Sequence, residues 1–357
     1  MNKTLVITAF ALVAALQTQA QPLQFEDLGP LRIRDQFALN MGFLALDPEG
    51  ADILADGRWQ VDVIVTGTNS FAKSKPIEEA LDARTSREPV TREFLDAVVD
   101  ESGQNAFYLD GEFYRTAVAL RRGIGRRTQL GVTLQVLDFG GGWMDSSIES
   151  FHDLFGLGQA GRLGVPRGDV TVFLSDAKGT SYTSRDPGVG LGDTTFSVKR
   201  GINGPASTWT TSVELVAKAP TGNERDLYSS GSWDAGAQVL ASRFFEKSCV
   251  HASAGVVYLG ESELLHTKSQ PVVSAMLGYE HGIFNSRNSA IVQATVSQSP
   301  FRDLELPELA AVSIQASIGV KCMISPDSVL FVALTENIAH FDNTADIGLH
   351  LAWTGRF

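Results

Sequence analysis

The sequence predicts an all-β fold, an antiparallel transmembrane β-barrel of about 14 strands (range about 12–16), with two short helical segments near 76–99 and 143–157. Three observations predict it. Apolar and polar residues alternate with period two in run after run from Arg34 to the end. After the first twenty residues there is no apolar run of about 18 that a spanning helix needs. Aromatics recur near the ends of the alternating runs (Trp59, Tyr114, Trp209, Tyr258, Tyr279, Trp353), as an interfacial girdle requires. A soluble sandwich alternates in the same way. Runs of about 9–13 residues, long enough to cross a bilayer at a tilt, favour the barrel.

The N-terminus, "MNKTLVITAFALVAALQTQA", places Lys3 before an apolar stretch from Leu5 to Leu16, then Thr18-Gln19-Ala20 as a small-residue cleavage site. Residues 1–20 therefore read as a cleaved signal peptide, 21–33 as an N-terminal extension and 34–357 as the barrel. Export to the cell outer membrane follows from that leader. The chain carries a formal net charge of −12, which argues against nucleic acid as a partner, because phosphate binding needs clustered Lys and Arg.

The expected strands run in order. "FALNMGFLA" sets Phe37, Leu39, Met41 and Phe43 against Ala38, Asn40 and Gly42, a first strand at 35–46. "RWQVDVIVTG" sets Trp59, Val61, Val63 and Val65 against Gln60, Asp62, Ile64 and Thr66, a second at 57–67. Further strands are expected at 105–122, 127–138, 169–177, 192–202, 208–219, 235–247, 249–260, 272–283, 289–299, 311–323, 327–337 and 346–357. Tight connections such as "ISPDS", "FNSRN" and "EKS" alternate with longer ones such as "RDLELPE" and "LLHTKSQ". Short periplasmic turns and long outer loops are the outer-membrane pattern. On this strand parity both helical segments fall on the periplasmic side. At the C-terminus Leu349, Leu351, Trp353 and Phe357 form the alternating signal that barrel-assembly machinery recognises.

Several stretches resemble an uncharacterised family of Gram-negative outer-membrane proteins, domain-of-unknown-function family 3187. They are "RDQFALN" at 34–40, "YLDGEFYR" at 108–115, "GGGWMDSSIESFHDLFGLGQAGR" at 140–162, "KAPTGN" at 218–223 and "SGSWDAG" at 230–236. The resemblance implies a barrel of unknown function. It supplies no substrate and no catalytic residues.

The polar faces hold Asp62, Arg115, Arg121, Glu214, Lys218, Glu280, Lys321, His350 and Arg356. Such residues line a water-filled path or pair across a plugged lumen. In the second helical segment Asp145, Glu149 and His152 share one face at i, i+4 and i+7, with Ile148, Phe151 and Phe155 opposite. Three such groups suit a divalent metal or acid–base work. An amphipathic helix with its acidic face in water is the favoured reading, and no metal or cofactor is expected. "HGIFNSRNS" at 281–289 brings His and Ser close, but the spacing does not suit a hydrolase, and the Gly clusters lack phosphate-loop context. Cys249 falls on the polar face and Cys322 on the lipid face of non-adjacent strands, so a disulfide is disfavoured.

The functional expectation is a passive channel or transporter for an unknown small molecule, with outer-membrane lipids and the assembly machinery as partners, and not an enzyme. A lipid-modifying enzyme and a closed scaffolding barrel are the alternatives.

Overall fold

The computed structural model describes residues 29–140, 144–156, 158–184, 188–203, 207–283, 287–339, 343–345 and 347–357. The expected leader at 1–20 lies outside the described residues. Fifteen strands follow in chain order: β1 (Trp59–Lys73), β2 (Ala106–Ile124), β3 (Thr128–Gly140), β4 (Thr171–Asp176), β5 (Gly179–Ser184), β6 (Gly188–Leu191), β7 (Thr194–Gly201), β8 (Thr210–Ala219), β9 (Asp234–Phe244), β10 (Ser248–Leu259), β11 (Gln270–Ile283), β12 (Asn288–Ser297), β13 (Ser313–Ser325), β14 (Ser328–Ala339) and β15 (Ile347–Arg356). All but β4, β5 and β6 form a closed wall of 12 strands. Neighbours pair antiparallel, and β15 returns to β1 with Gln60 opposite Arg356 and Asn69 opposite Ile347. Closure leaves no open backbone edge, which a bilayer demands.

The wall obeys the period-two rule. On β11, Gln270, Val272, Met276 and Glu280 are buried in the lumen, while Val273, Leu277 and Tyr279 are 50%, 61% and 50% exposed on the outside. The outward apolar band is what hydrocarbon stabilises. The tight connections 125–127, 245–247 and 326–327 lie at one end, and the long ones 74–105, 220–233, 260–269 and 298–312 at the other.

Two expected wall strands are corrected. Residues 35–46 form no strand. They sit inside the barrel around a short 3-10 turn at Ala38–Asn40, and Phe37, Ala38, Leu39, Met41, Gly42 and Phe43 are all buried. Alternation marks a half-buried strand, and here both faces are covered. The run at 169–177 does form β4, but it pairs with the top of β2, from Ala106 to Asp110, above the wall. Removing that strand from the wall inverts the parity of everything before it. Both helical segments therefore lie at the long-loop end, not the periplasmic one.

The first helical segment is two helices, α1 (Lys75–Asp82) and α2 (Arg92–Ser102). Pro89 between them disfavours helix in the residue before it. Thr91 caps α2, accepting the Phe94 amide at 3.3 Å, and left-handed Gly103 ends it. Ile77, Leu81 and Leu95 pack with Phe71, Tyr108 and Phe173 on the outer side of the β1–β2–β4 extension. The second segment is α3 (Met144–Phe155), and α4 (Pro307–Ala310) is one turn in the β12–β13 loop. Among the described residues no helix is long and apolar enough to cross a membrane.

Candidate functional site: the plugged lumen

Residues 29–58 enter the lumen at the short-turn end, climb to the long-loop end, and descend again to begin β1. Contacts mark the route. Lys321 donates to the Gly29 carbonyl, Gln293 to Leu31 (3.1 Å), Lys218 to Gly42 (2.8 Å) and Gln238 to Asp47 (3.1 Å). On the way down the Ala51 amide donates to Ser242 Oγ (3.3 Å) and the Leu54 amide to Gln129 Oε1 (3.2 Å). A coil inside a barrel has no ladder of its own, so wall side chains satisfy its backbone.

The tip is shaped by "RDQFALN". Asp35 accepts the Phe37 amide at 2.9 Å and the Asn40 side-chain amide at 2.7 Å, closing an Asx-type turn. Arg34 donates to the carbonyls of Asn40 (3.2 Å) and Phe43 (2.9 Å). Phe37 and Phe43 then enter an apolar cluster with Phe113, Phe139, Tyr228 and Phe301 that fills the long-loop end of the lumen. Phe43 meets Phe301 edge-on at 6.2 Å and Phe113 meets Phe139 at 4.9 Å.

Beside the tip lies a polar latch. Lys218 donates to the Gly42 carbonyl, to Asp193 (2.5 Å) and to Ser230 (2.7 Å), with Asp234 at 3.2 Å. Asp234 in turn accepts the Leu44 amide at 2.8 Å. Gly42 is required by space: a Cβ there would lie 2.7 Å from the Ser229 carbonyl carbon.

The expected lumen residues all point inward, and most are engaged. Asp62 receives Arg32 (2.7 Å), Arg121 and Thr354 (2.6 Å). Arg121 also meets Glu49 of the plug, which takes Lys199 at 2.9 Å. Glu214 accepts Gln238 at 2.7 Å. Glu280 takes Lys321 at 2.6 Å and the Ser289 hydroxyl. Arg115 donates to Gln135 at 2.8 Å, and His350 lies 3.0 Å from the Thr66 hydroxyl. Arg356 donates to Gln60 at 3.0 Å. Glu49, Arg32 and Asp193 had no sequence signal, because their partners are distant in the chain. Gaps beside the plug include cavities of about 20, 70 and 30 Å³, each room for a few waters at most.

Asp145, Glu149 and His152 do share a helix, but the acidic side of α3 is not in water. The amides of Met144 and Asp145 donate to Glu112 of β2. Asp145 accepts Asn69 and Arg162, both at 3.1 Å. Glu149 accepts Arg87 at 2.9 Å and Arg167 at 2.5 Å, and His152 Nδ1 lies 2.8 Å from the Gly158 carbonyl oxygen. Burial pushes the Glu149 carboxyl up, but the bonds from Arg167 and Arg87 outweigh it and hold it below the usual carboxylate range. The face is a docking surface for arginines. The side chains of Phe151 and Phe155 lie outside what the structure describes.

His281 faces outward, stacked on Tyr279, while Ser289 faces the lumen. Ser286 lies outside the described residues. A different trio does fall in line: Ser242 Oγ is 3.0 Å from His251 Nδ1, and His251 Nε2 is 3.4 Å from Glu280. The Ser242 oxygen, fully buried, already accepts the Ala51 amide, so the trio anchors the plug. Cys249 is buried and Cys322 is exposed, and neither forms a disulfide.

Residues 97–357 match a family described as protein of unknown function, DUF3187. The chain belongs to this family. The plug and β1 precede the matched region. Within it, "KAPTGN" supplies Lys218 and "SGSWDAG" supplies Ser230 and Asp234, the latch. No protein of curated function matches. Among solved structures, the chain is similar to the COG4313 outer membrane channel from Pseudomonas putida F1, with TM-score 0.52 and 13% identity over 88% of this chain and 100% of that one. It is also similar to the P. putida toluene transporter TodX (TM-score 0.37, 10% identity, 85% of this chain and 89% of that one). Outer membrane phospholipase A from Escherichia coli aligns with TM-score 0.34 and 10% identity over 90% of this chain and 98% of that one. The first of these shows a shared fold. This DUF3187 member has the closed-barrel fold of that outer-membrane protein.

Proposed function

We propose that the protein is a passive channel for small molecules in the outer membrane, closed at rest by its own residues 29–58. The observation that carries this reading is the chemistry of the seam. Below the aromatic tip, wall and plug meet through hydrogen bonds and ion pairs such as Asp62–Arg32 and Glu49–Arg121. Buried ion pairs add little net stability against hydrated charges, so they specify the seat without welding it. Water replaces the plug at these groups when it leaves, and a lumen lined by Asp62, Arg115, Arg121, Glu214, Glu280 and Lys321 then conducts. The wall closes by direct backbone pairing of β1 with β15, with no plug residue in that ladder. The P. putida structure of the same fold is described as a channel, and the reading brings that role to this chain.

The test is single-channel conductance in planar bilayers of the chain from residue 21 and of a variant lacking 29–56. The intact chain is expected to stay mostly silent. The plugless barrel is expected to give reproducible steps whose ion selectivity shifts with Glu214→Gln and Lys321→Gln. A folded, heat-modifiable plugless barrel that passes no current overturns the channel reading in favour of a closed scaffold.

A further inference from the structure

The charge of this acidic chain is not evenly spread. At the short-turn end, from the close of β2 round to the start of β10, stand Arg122, Arg126, Arg127, Arg200, Arg243 and Lys247. Glu246 is the one carboxylate among the described residues of the same stretch of rim, and Asp56 at the foot of the plug accepts the Gly125 amide. Arg122, Arg200 and Arg243 sit at outward register positions on β2, β7 and β9. All six are exposed or half-exposed, and none forms an ion pair among the described residues. A cationic arc survives on a protein of net charge −12.

The arc is built at an interface. The Arg122 guanidinium lies 5.1 Å from the Trp59 ring centre, and that of Arg243 lies 5.8 Å from Trp209 and 5.1 Å from Phe245. Such stacking holds a guanidinium flat against an aromatic girdle, with its edge free to donate. Beside and above the arginines, strands β3, β7, β8 and β9 present Leu130, Val198, Leu215 and Val239 on the outer face, 42%, 44%, 57% and 51% exposed. Apolar surface for acyl chains thus continues into donors for a head group. By the short-turn rule this rim faces the periplasm.

The geometry points to a binding surface for anionic glycerophospholipid head groups, their phosphodiesters bridged by Arg122, Arg200 and Arg243 in the periplasm-facing leaflet. Guanidinium forks match phosphate oxygens in geometry and charge. Their attraction in an anionic interface is worth about a fivefold change in affinity per cation.

The test titrates detergent-purified mature protein with phosphatidylglycerol or phosphatidylcholine and reads retained lipid by native mass spectrometry. Phosphatidylglycerol is expected to be retained preferentially. The triple variant Arg122→Gln, Arg200→Gln, Arg243→Gln is expected to lose on the order of a hundredfold in that affinity, while Lys268→Gln in a long loop leaves it unchanged. The preference of the unmodified protein is also expected to vanish near 1 M salt, where charges are screened beyond about 3 Å; that reading needs no variant to fold. Equal retention of the two lipids, a salt-insensitive preference, an unaffected triple variant, or retention of lipid A phosphates in place of phosphatidylglycerol each overturns the proposal.

Discussion

The ammonium of Lys218 lies 2.8 Å from the carbonyl oxygen of Gly42, joining wall strand β8 to the tip of the plug across 176 residues of sequence. Around it Asp193 and Asp234 supply two carboxylates and Ser230 a hydroxyl. One lysine therefore bridges two buried acids and ties them to the plug tip.

Lys218→Met leaves both acids in the lumen without their cation. Removing one partner of a buried network costs about 3–5 kcal/mol. Urea unfolding of the refolded barrel is expected to show a loss of that order, with residues 29–58 becoming open to protease first. Adding Asp193→Asn is expected to restore part of the loss, since coupled partners are not additive. An unchanged midpoint and a protected plug in Lys218→Met would remove the latch from the account.

The α3 docking face carries a pH dependence. Bonds from Arg167 and Arg87 hold Glu149 below its ordinary range despite the opposing effect of burial. A depressed carboxyl contributes stability that is present above its ordinary value, about 4.3, and is lost as pH falls through the folded value. Amide exchange at 144–155, corrected for its intrinsic pH dependence, is expected to quicken below about pH 4. Glu149→Gln is expected to exchange faster at neutral pH and to lose the acid step. A step of equal size in that variant means that another group supplies it.

Ser242, His251 and Glu280 have the order of a hydrolytic triad, and their contacts tie them to the plug. The serine oxygen accepts the Ala51 amide and is shielded by the plug. Phospholipid hydrolysis by the purified protein is expected to be no different between the natural chain and Ser242→Ala. The loss of one hydrogen bond at the plug is expected to cost about 1 kcal/mol of stability. Hydrolysis abolished by Ser242→Ala, in a barrel that still folds, would restore the enzyme reading.

Much of the wall was legible because alternation in a half-buried strand is local. "TQLGVTLQV" and "AVSIQASIGVK" place their polar residues inward as their period demands. The same rule misassigned "FALNMGFLA", where Phe37 and Phe43 meet the aromatic cluster while Ala38 and Gly42 are also covered. It recognised β4 as a strand, yet could not tell that its partner was the top of β2 above the wall. The acidic face of α3 looked solvated because Arg87 and Arg167, which bind Glu149, lie 62 and 18 residues away.

By itself the sequence determined the class of wall, the faces of its strands and the inward placement of Asp62, Arg121, Glu214, Lys218, Glu280 and Lys321. A side-chain period of two settles such questions within a few residues. Only the tertiary structure decided what fills the lumen. Lys321 reaches the Gly29 carbonyl across 292 residues, and Gln293 reaches Leu31 across 262. Contacts of that span arise because the N-terminal segment lies inside the closed barrel, which brings together groups that no local pattern pairs.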